Sequence, residues 1–470
     1  MKTRIEDDSL GQKKVPSQAY YGIQTCRAIE NFPISGYRAH PRLIRAMGMV
    51  KKAAASANRT LGLLDHRRAS AISRAAEEVI LGKLDDQFVV DVYQAGAGVS
   101  FHMNANEVIA NRAIELLGGR RGDYARCHPN DHVNYGQSTN DVFPTAMRIA
   151  AILLFDDVRA AANRLERSLA RKGKAFDSIL KSGRTHMMDA APIRLGQEFT
   201  AYATAIRRCG DELCHAQDVL REVGLGGSAV GTGMNTHPKY QKLVVGFLSK
   251  IAKQPLIATH DLRYTMQSNL AMTVASSALR NLGIELVRIS NDLRLLASGP
   301  NTGFAEIALP ALQPGSSIMP GKINPVMAEL TAMVGFQSAG ADLVTAMAAQ
   351  AGQLELNVMM PAMAWNVLHS AEILKNTMRA LAAKCVDGIT ANVDRCKFYA
   401  NATVSIAAAL NPYIGYAAAA EIAKESVKTG RTVSEIAQER GLLDEKLLRE
   451  ILDPRRTTAP AAPIAAQKRK

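Results

Sequence analysis

The chain has 470 residues, of which 47% are hydrophobic and 21% are charged, and its formal net charge is +14. This balance excludes a mostly disordered chain, and no run of about 18 uncharged apolar residues predicts a membrane-spanning helix. The first residues are charged and lack the apolar core of a secretory signal, and the six cysteines form no Cys-x-x-Cys pair. We therefore expect a cytoplasmic protein without a membrane partner.

The basic excess has two interpretations, a nucleic-acid binder or a protein that attracts small anionic substrates. The basic residues are scattered along the chain, and aromatic residues make up only 5% of it. A nucleic-acid interface usually concentrates its positive charge, so we expect no nucleic-acid partner.

Proline and glycine positions divide the chain into four parts. Residues 1–139 contain short mixed segments and form a predicted N-terminal domain, whereas residues 140–392 contain long helical patterns and form a predicted central domain. Residues 393–453 form a predicted small C-terminal helical domain. The last part, 454–470, is basic and rich in Ala and Pro, and we expect it to be disordered.

The central part carries the strongest structural pattern. Apolar residues recur at alternating steps of three and four over 147–165 and 272–296, which is typical of a packed helical seam. Further helical patterns lie near 195–222, 325–350 and 357–384. Five such helices predict an all-α fold with a helix bundle. Because several helices carry apolar residues on more than one face, we expect a homo-oligomer whose bundle core crosses subunits; the alternative is a monomeric bundle.

Two polar loops come first along the chain. In Gln137-Ser-Thr-Asn-Asp141, four short polar side chains precede a long apolar helix, and only one is needed as a cap, so the segment predicts an anion or amine site. Thr185-His186 offers a histidine that relays protons or orients a substrate, although a structural histidine fits equally well. His128 and His132 have a metal-like spacing without accompanying ligands, and we predict no metal site.

The loop Gly315-Ser-Ser-Ile-Met-Pro-Gly-Lys-Ile-Asn-Pro325 precedes the fourth long helix. Backbone N–H groups at a helix start favour an anion, while Lys322 adds a positive charge and Asn324 adds two donors. These features predict a loop that binds a carboxylate and abstracts a proton. The alternative is an ordinary loop of glycine and proline.

Taken in this order, the loops resemble those of the aspartase/fumarase superfamily, and the resemblance covers nearly the whole chain, from residues 19–22 to 441–443. It is carried by five motifs: HPNDHVN at 128–134, QSTND at 137–141, GRTH at 183–186, SNDLRLLASGP at 290–300 and GSSIMPGKINP at 315–325. The stretches ENFPISG at 30–36 and AGQLELNVM at 351–359 are more similar to aspartate ammonia-lyases than to fumarases. The resemblance implies a three-domain fold, a small amino acid substrate and no cofactor. It also implies a homotetramer with a shared helical core and active sites built from three subunits.

The resemblance further implies roles for individual residues. Ser316 would be the general base, with its alkoxide stabilised by the helix start and Lys322. The residues implied to hold the resulting aci-carboxylate are Ser138, Thr139 and Ser317. The residues implied to bind the α-carboxylate are Thr185, Lys322 and Asn324.

The remaining implied roles concern the leaving amine and the entrance to the site. Asn140 and His186 would contact the amine, and Glu329 would support His186. The residues that match a secondary anion site are His128, Asn130 and Asp131.

Several positions depart from the superfamily pattern. Val99 stands where a threonine usually contacts the β-carboxylate, and losing a donor to a charged group costs about 1.5–3 kcal/mol. Met188, Asn301 and Met360 replace residues that are usually polar, so part of the pocket is expected to be more apolar. The leading hypothesis is deamination of L-aspartate to fumarate and ammonia. The alternatives are an ergothionase-like lyase that releases trimethylamine from a betaine, a fumarate hydratase, and a non-catalytic oligomer.

Overall fold

The computed structural model describes residues 2–464, and most of them are helical. The described residues form sixteen α-helices: α1 (Ile23–Asn31), α2 (Pro41–Thr60), α3 (His66–Ile80), α4 (Val99–Leu116), α5 (Thr139–Ala175), α6 (Leu195–Leu220), α7 (Tyr240–Ala252), α8 (Leu262–Gln267), α9 (Leu270–Leu296), α10 (Val326–Gln350), α11 (Met360–Lys384), α12 (Val393–Ala402), α13 (Asn411–Ile414), α14 (Tyr416–Thr429), α15 (Val433–Glu439) and α16 (Glu445–Ile451).

The strands are short and pair two by two. They are β1 (Thr3–Asp8) with β2 (Gly11–Pro16), β3 (Leu180–Thr185) with β4 (Met188–Arg194), β5 (Glu222–Val223) with β6 (Ile257–Ala258), and β7 (Ile307–Ala308) with β8 (Thr390–Ala391). All pairs are antiparallel except β5 with β6. Because each sheet has only two strands and the helices dominate, the predicted all-α class is confirmed.

The five long helices predicted from the apolar spacing are α5, α6, α9, α10 and α11. In α5 and α9, the residues of the predicted seams are buried, for example Leu154 and Leu165 in α5 and Leu282 and Leu293 in α9. The three-and-four spacing places these side chains on one stripe of each helix, and burying that stripe stabilises the helix. No helix among residues 2–464 is both long enough and apolar enough to cross a membrane.

The chain forms two compact units. The first comprises Met1–Ala160, Cys209–Ile284 and Val334–Asn376. Within it, α2 packs against α3 and α7, and α4 packs against α3. Gly98 precedes α4 with a left-handed φ of +91°, and a Cβ there would lie 2.3 Å from the Phe143 ring, so only glycine fits this helix start.

The second unit comprises Ala161–Arg208, Glu285–Met333 and Thr377–Lys470. Within it, β3 packs against α12, and a separate apolar core joins α14, α15 and α16. The predicted division into domains 1–139, 140–392 and 393–453 stays a prediction.

The predicted disordered tail needs a correction at its beginning. Pro454–Thr458 forms a turn of 3₁₀ helix rather than a disordered segment. The reason is hydrogen bonding to a distant part of the chain: Arg194 Nη1 donates to Thr458 Oγ1 at 2.8 Å, and Gln197 Nε2 donates to the Thr458 carbonyl oxygen at 2.8 Å. Residues 465–470 of the predicted tail lie outside the described residues.

Candidate active site

The polar segment 137–141 lies at the N-terminal end of α5. Ser138 Oγ accepts the backbone N–H of Asn140 at 3.3 Å, so the Ser138 hydroxyl keeps its own proton to donate elsewhere. The Asn140 side chain donates from Nδ2 to the Ala229 carbonyl oxygen at 2.7 Å, which leaves its Oδ1 as an acceptor. A helix start carries positive partial charge. This end of α5 can therefore donate to an anion and accept from a neighbouring ammonium group.

Asp141 is fully buried beneath this helix start. Its carboxylate accepts backbone N–H groups from Ser138 at 2.9 Å, Gly226 at 2.9 Å and Ser228 at 3.1 Å. Burial raises the pKa of Asp141 to about 6, against the opposing effect of these hydrogen bonds and of the Lys51 charge. The glycine-rich loop 224–233 thus anchors the start of α5.

Two further buried groups lie behind Thr139. The Nδ1 atom of His102 is 2.7 Å from Thr139 Oγ1, and the Nε2 atom of His102 is 2.6 Å from Lys51 Nζ. Burial lowers the pKa of both Lys51 and His102 well below the usual values. Neither residue was predicted from the sequence. A signal existed for Lys51, because it follows Met47 by four positions and precedes Ala54 by three, and both of these residues are buried.

Val99 is the first residue of α4, and its side chain is 44% exposed. An exposed valine at a helix start gains little from burial, and its methyl groups cannot donate a hydrogen bond. The apolar side chain at position 99 therefore lies at the surface of the chain and is not part of its core.

The predicted secondary anion site lies in a π-helical turn, Pro129–Val133. His128 Nδ1 accepts the backbone N–H groups of Asn130 and Asp131, each at 3.2 Å, so these two donors are already occupied. His128 and Asn130 line a cavity of about 460 Å³ whose lining also includes the carboxylates of Asp7, Asp8 and Glu107. The lining also includes Arg27, which pairs with Asp8 at 2.8 Å, so the cavity carries both signs of charge, and the predicted role of His128, Asn130 and Asp131 stays a prediction.

In the second unit, Thr185 and His186 lie at the tip of the β3–β4 hairpin. Thr185 pairs with Met188, so His186 and Met187 form a two-residue turn with φ values of +55° and +62°. Residues with a Cβ are disfavoured there by roughly 1–2 kcal/mol each. Sparsely populated backbone conformations of this kind cluster at functional sites.

Arg184, which directly precedes Thr185 in β3, is held by a buried cluster of ion pairs. Glu306 is fully buried and accepts from Arg184 at 3.0 Å and from Lys181 at 3.0 Å. The Arg184 guanidinium also lies over the Phe304 ring, 4.2 Å from its centroid. Because its base is fixed in this way, the hairpin can present Thr185 and His186 at an exposed tip.

The loop 315–325 closes on itself. The Gly315 N–H donates to the Lys322 carbonyl oxygen at 2.8 Å, and Asn324 Nδ2 donates to the Gly315 carbonyl oxygen at 2.6 Å. A Cβ at Gly315 would lie 2.4 Å from the Lys322 oxygen, so this closure requires glycine. Asn324 therefore uses one of its two N–H donors within the loop, and the other remains available to a ligand.

Ser316 is the second residue of this loop. Its Oγ accepts backbone N–H groups from Met319 at 3.0 Å and Ile318 at 3.2 Å. Two N–H dipoles directed at one oxygen stabilise negative charge on it. The donors that reach Ser316 are thus amides of its own loop.

The other predicted residues of the loop are more open. Ser317 and Lys322 are exposed, and Glu329 is half-buried in the first turn of α10. Among residues 2–464, no hydrogen bond or ion pair joins Glu329 to His186, or joins the hairpin tip to the 315–325 loop. The predicted site residues are divided between the two units. Val99, Ser138, Thr139 and Asn140 belong to the first unit, and the hairpin tip and the 315–325 loop belong to the second.

Comparisons with known proteins agree with the resemblance. Residues 11–340 match the family described as "Lyase", and residues 406–459 match the family described as "Fumarase C C-terminus". An aspartate ammonia-lyase from Bacillus sp is 47% identical over 99% of each chain. A fumarate hydratase class II from Halobacterium salinarum is 50% identical over 96% of each chain. The crystal structure of fumarate lyase:delta crystallin from Brucella melitensis bound to cobalt has a TM-score of 0.94 and 49% identity, and the match covers 98% of this chain and 100% of that one.

Proposed function

Because the chain belongs to the lyase family of the aspartase/fumarase superfamily, we propose that it removes ammonia from L-aspartate to give fumarate. The observation that carries this proposal is the environment of Ser316, whose Oγ accepts two backbone N–H groups. A serine is a weak base at its ordinary pKa, and such donors favour its alkoxide.

The reaction would begin with the Ser316 alkoxide taking a proton from the Cβ of L-aspartate. The electron pair of the broken C–H bond moves into the β-carboxylate and gives an aci-carboxylate with an additional negative charge. When this pair returns to form the Cα–Cβ double bond, the C–N bond breaks and ammonia leaves. The proton remains on Ser316 until it is lost to solvent.

The start of α5 suits the additional charge on the β-carboxylate. Ser138 retains a free O–H donor, and the helix dipole adds positive partial charge. We assign the aci-carboxylate to Ser138 and Thr139, with Ser317 contributing from the 315–325 loop. Asn140 is assigned to the substrate ammonium group because its Oδ1 is the atom left free by the bond to Ala229.

The α-carboxylate is assigned to Thr185, Lys322 and Asn324. Lys322 supplies a full positive charge, and Asn324 keeps one N–H after closing the loop. His186 is assigned to the leaving amine with support from Glu329. The secondary anion site at His128, Asn130 and Asp131 stays a prediction.

We propose that a homotetramer completes the site, with three subunits contributing to each copy. Exposed apolar side chains along α10 support this assembly: Leu330, Met333, Phe336, Leu343 and Met347. A helix that is apolar on most sides needs partners to cover it.

A direct assay tests the proposed reaction. Purified protein is mixed with L-aspartate, and fumarate is followed by its ultraviolet absorbance while ammonia is measured with a coupled enzyme. Both products should form in equal amounts. Absence of both, under conditions in which the protein is folded and oligomeric, would overturn the proposal.

Two other reactions belong in the same assay because each is favoured by a specific observation. Hydration of fumarate to malate is favoured by the 50% identity to a fumarate hydratase class II. Release of trimethylamine from ergothioneine, a betaine, is favoured by two exposed apolar side chains, Val99 and Met188, each of which offers apolar contact to a trimethylammonium group. Comparing kcat/KM for the three substrates decides among them.

A further inference from the structure

A line of buried polar contacts leads from Lys51 through His102 to Thr139. The Lys51 Nζ lies 2.6 Å from His102 Nε2, and the opposite ring nitrogen, Nδ1, lies 2.7 Å from Thr139 Oγ1. Both Lys51 and His102 are almost completely inaccessible to solvent. Such groups are kept in a core only where their hydrogen bonds are satisfied.

The Lys51 Nζ has two more neighbours, Asn134 Oδ1 at 3.0 Å and Gln137 Oε1 at 2.9 Å. The orientation of both side-chain amides is fixed by the hydrogen bonds that their NH₂ groups donate. Asn134 Nδ2 donates to the Gln137 carbonyl oxygen at 3.2 Å, and Gln137 Nε2 donates to the Val133 carbonyl oxygen at 3.0 Å. Two oxygens and one ring nitrogen therefore surround Nζ. Burial lowers the pKa of Lys51, but these three acceptors match the three N–H donors of the ammonium form, and the charge of the buried Asp141 carboxylate favours the same form.

We propose that Lys51 and His102 set the direction of the Thr139 hydroxyl, so that its proton points outward to a substrate carboxylate. Lys51 donates to Nε2, which places the single proton of the neutral imidazole on Nδ1. That proton is donated to Thr139 Oγ1, and the Thr139 O–H is left to donate elsewhere. The proposal rests on the proposed function in one respect, namely that Thr139 binds a carboxylate.

The reverse arrangement has the opposite chemical consequence. With the proton on Nε2, Nδ1 would accept from Thr139, and the threonine would offer only lone pairs to a ligand. Such a threonine would suit an ammonium group and oppose a carboxylate. His102 is thus a positioning residue that decides which charge Thr139 can bind.

The imidazole tautomer is the first test, and it does not depend on catalysis. The whole protein is labelled with ¹⁵N-histidine and studied by solid-state NMR, with the His102 signals identified by their loss in His102→Asn. We expect a protonated Nδ1 and an unprotonated Nε2. A protonated Nε2 with an unprotonated Nδ1 would overturn the proposal. Because this measurement uses the unmodified protein, it stands even if a variant fails to fold.

The second test asks whether His102 acts through Thr139. His102→Leu and Thr139→Val should each lower kcat/KM for L-aspartate about tenfold or more, as expected for one hydrogen bond to a charged group. The double variant should be no worse than Thr139→Val alone. His102→Asn keeps an N–H near the position of Nδ1 and should lose less activity than His102→Leu. Independent, additive losses in the double variant would show that His102 has only a structural role.

The two proposals can fail separately. If the unmodified protein does not deaminate L-aspartate, the proposed function fails, and the tautomer alone decides the direction of the Thr139 hydroxyl. If it deaminates L-aspartate but shows the reverse tautomer or additive losses, only the role of Lys51 and His102 is overturned.

Discussion

The buried carboxylate of Asp141 accepts the backbone N–H of Gly226 at 2.9 Å, which ties the glycine-rich loop after β5 to the first turn of α5. Ser138, at the same helix start, donates its backbone N–H to the other carboxylate oxygen at 2.9 Å. One buried acid therefore fixes both the loop and the residues assigned to the substrate carboxylate. This arrangement predicts how stability depends on pH.

The contribution of Asp141 to the free energy of unfolding should decrease as pH rises. Burial raises its pKa from 3.8 to about 6, so between these values the folded protein binds the proton more tightly than the unfolded chain does. Its contribution to the free energy of unfolding is greatest below pH 4 and is lost as pH rises through 6. The full shift corresponds to roughly 3 kcal/mol.

The matched variant for this prediction is Asp141→Asn, which has nearly the same shape and does not titrate. Unfolding by denaturant is measured from pH 4 to 8 for both proteins. The free energy of unfolding of the natural protein minus that of the variant should fall between pH 4 and 6.5 and be constant above 7. A difference that grows with pH would contradict the raised pKa.

The helices could be predicted from sequence because their evidence is local. The three-and-four spacing in α5 and α9 follows from helix geometry, and the structure confirms both helices. The contacts behind the site could not be predicted in this way. Lys51, His102 and Thr139 lie far apart in sequence and meet only because α2, α4 and the start of α5 pack together, and nothing in the local pattern of residue 102 distinguishes a buried imidazole from an exposed one.

The residues assigned to catalysis show the same limit of prediction from sequence. The cluster of serine, lysine and asparagine in 315–325 predicts an anion-binding loop, but the two donors to Ser316 are backbone amides. Every residue except proline has such an amide, so residue types cannot reveal which ones converge. The fold of the turn determines this property.

Replacing Ser316 with Ala should remove turnover of L-aspartate without unfolding the protein. Loss of a general base lowers kcat by about 100- to 10,000-fold. Ser316 is half-buried in a loop, so the melting temperature and the oligomeric mass should not change. Ser405→Ala is the matched control, because Ser405 also bonds backbone, donating to the Asp189 carbonyl oxygen at 2.9 Å, and has no assigned catalytic role. Full activity of Ser316→Ala would contradict its assignment as the base.

Replacing Phe336 with Lys should break the homotetramer. Phe336 is 64% exposed on α10 in the single chain, and an assembled bundle would place it between helices, where an unpaired ammonium is strongly unfavourable. Light scattering after size exclusion should show a smaller mass, with activity lost in proportion. Phe398→Lys on α12 is the control, since Phe398 has a similar exposure of 60% outside the long helices. An unchanged mass for Phe336→Lys would mean that α10 does not form the interface.

Replacing Val99 with Thr should improve the use of L-aspartate. The two side chains have nearly the same shape, and Val99 begins α4 with an exposed side chain, so the change adds a hydroxyl donor without disturbing the core. If position 99 faces the β-carboxylate, the new hydrogen bond to a charged group should raise kcat/KM by about tenfold. Val99→Ala, which removes the methyl groups and adds no donor, should not give this increase. An unchanged or lower kcat/KM for Val99→Thr, measured by fumarate absorbance, would mean that residue 99 does not contact the carboxylate and that its apolar character serves a different substrate group.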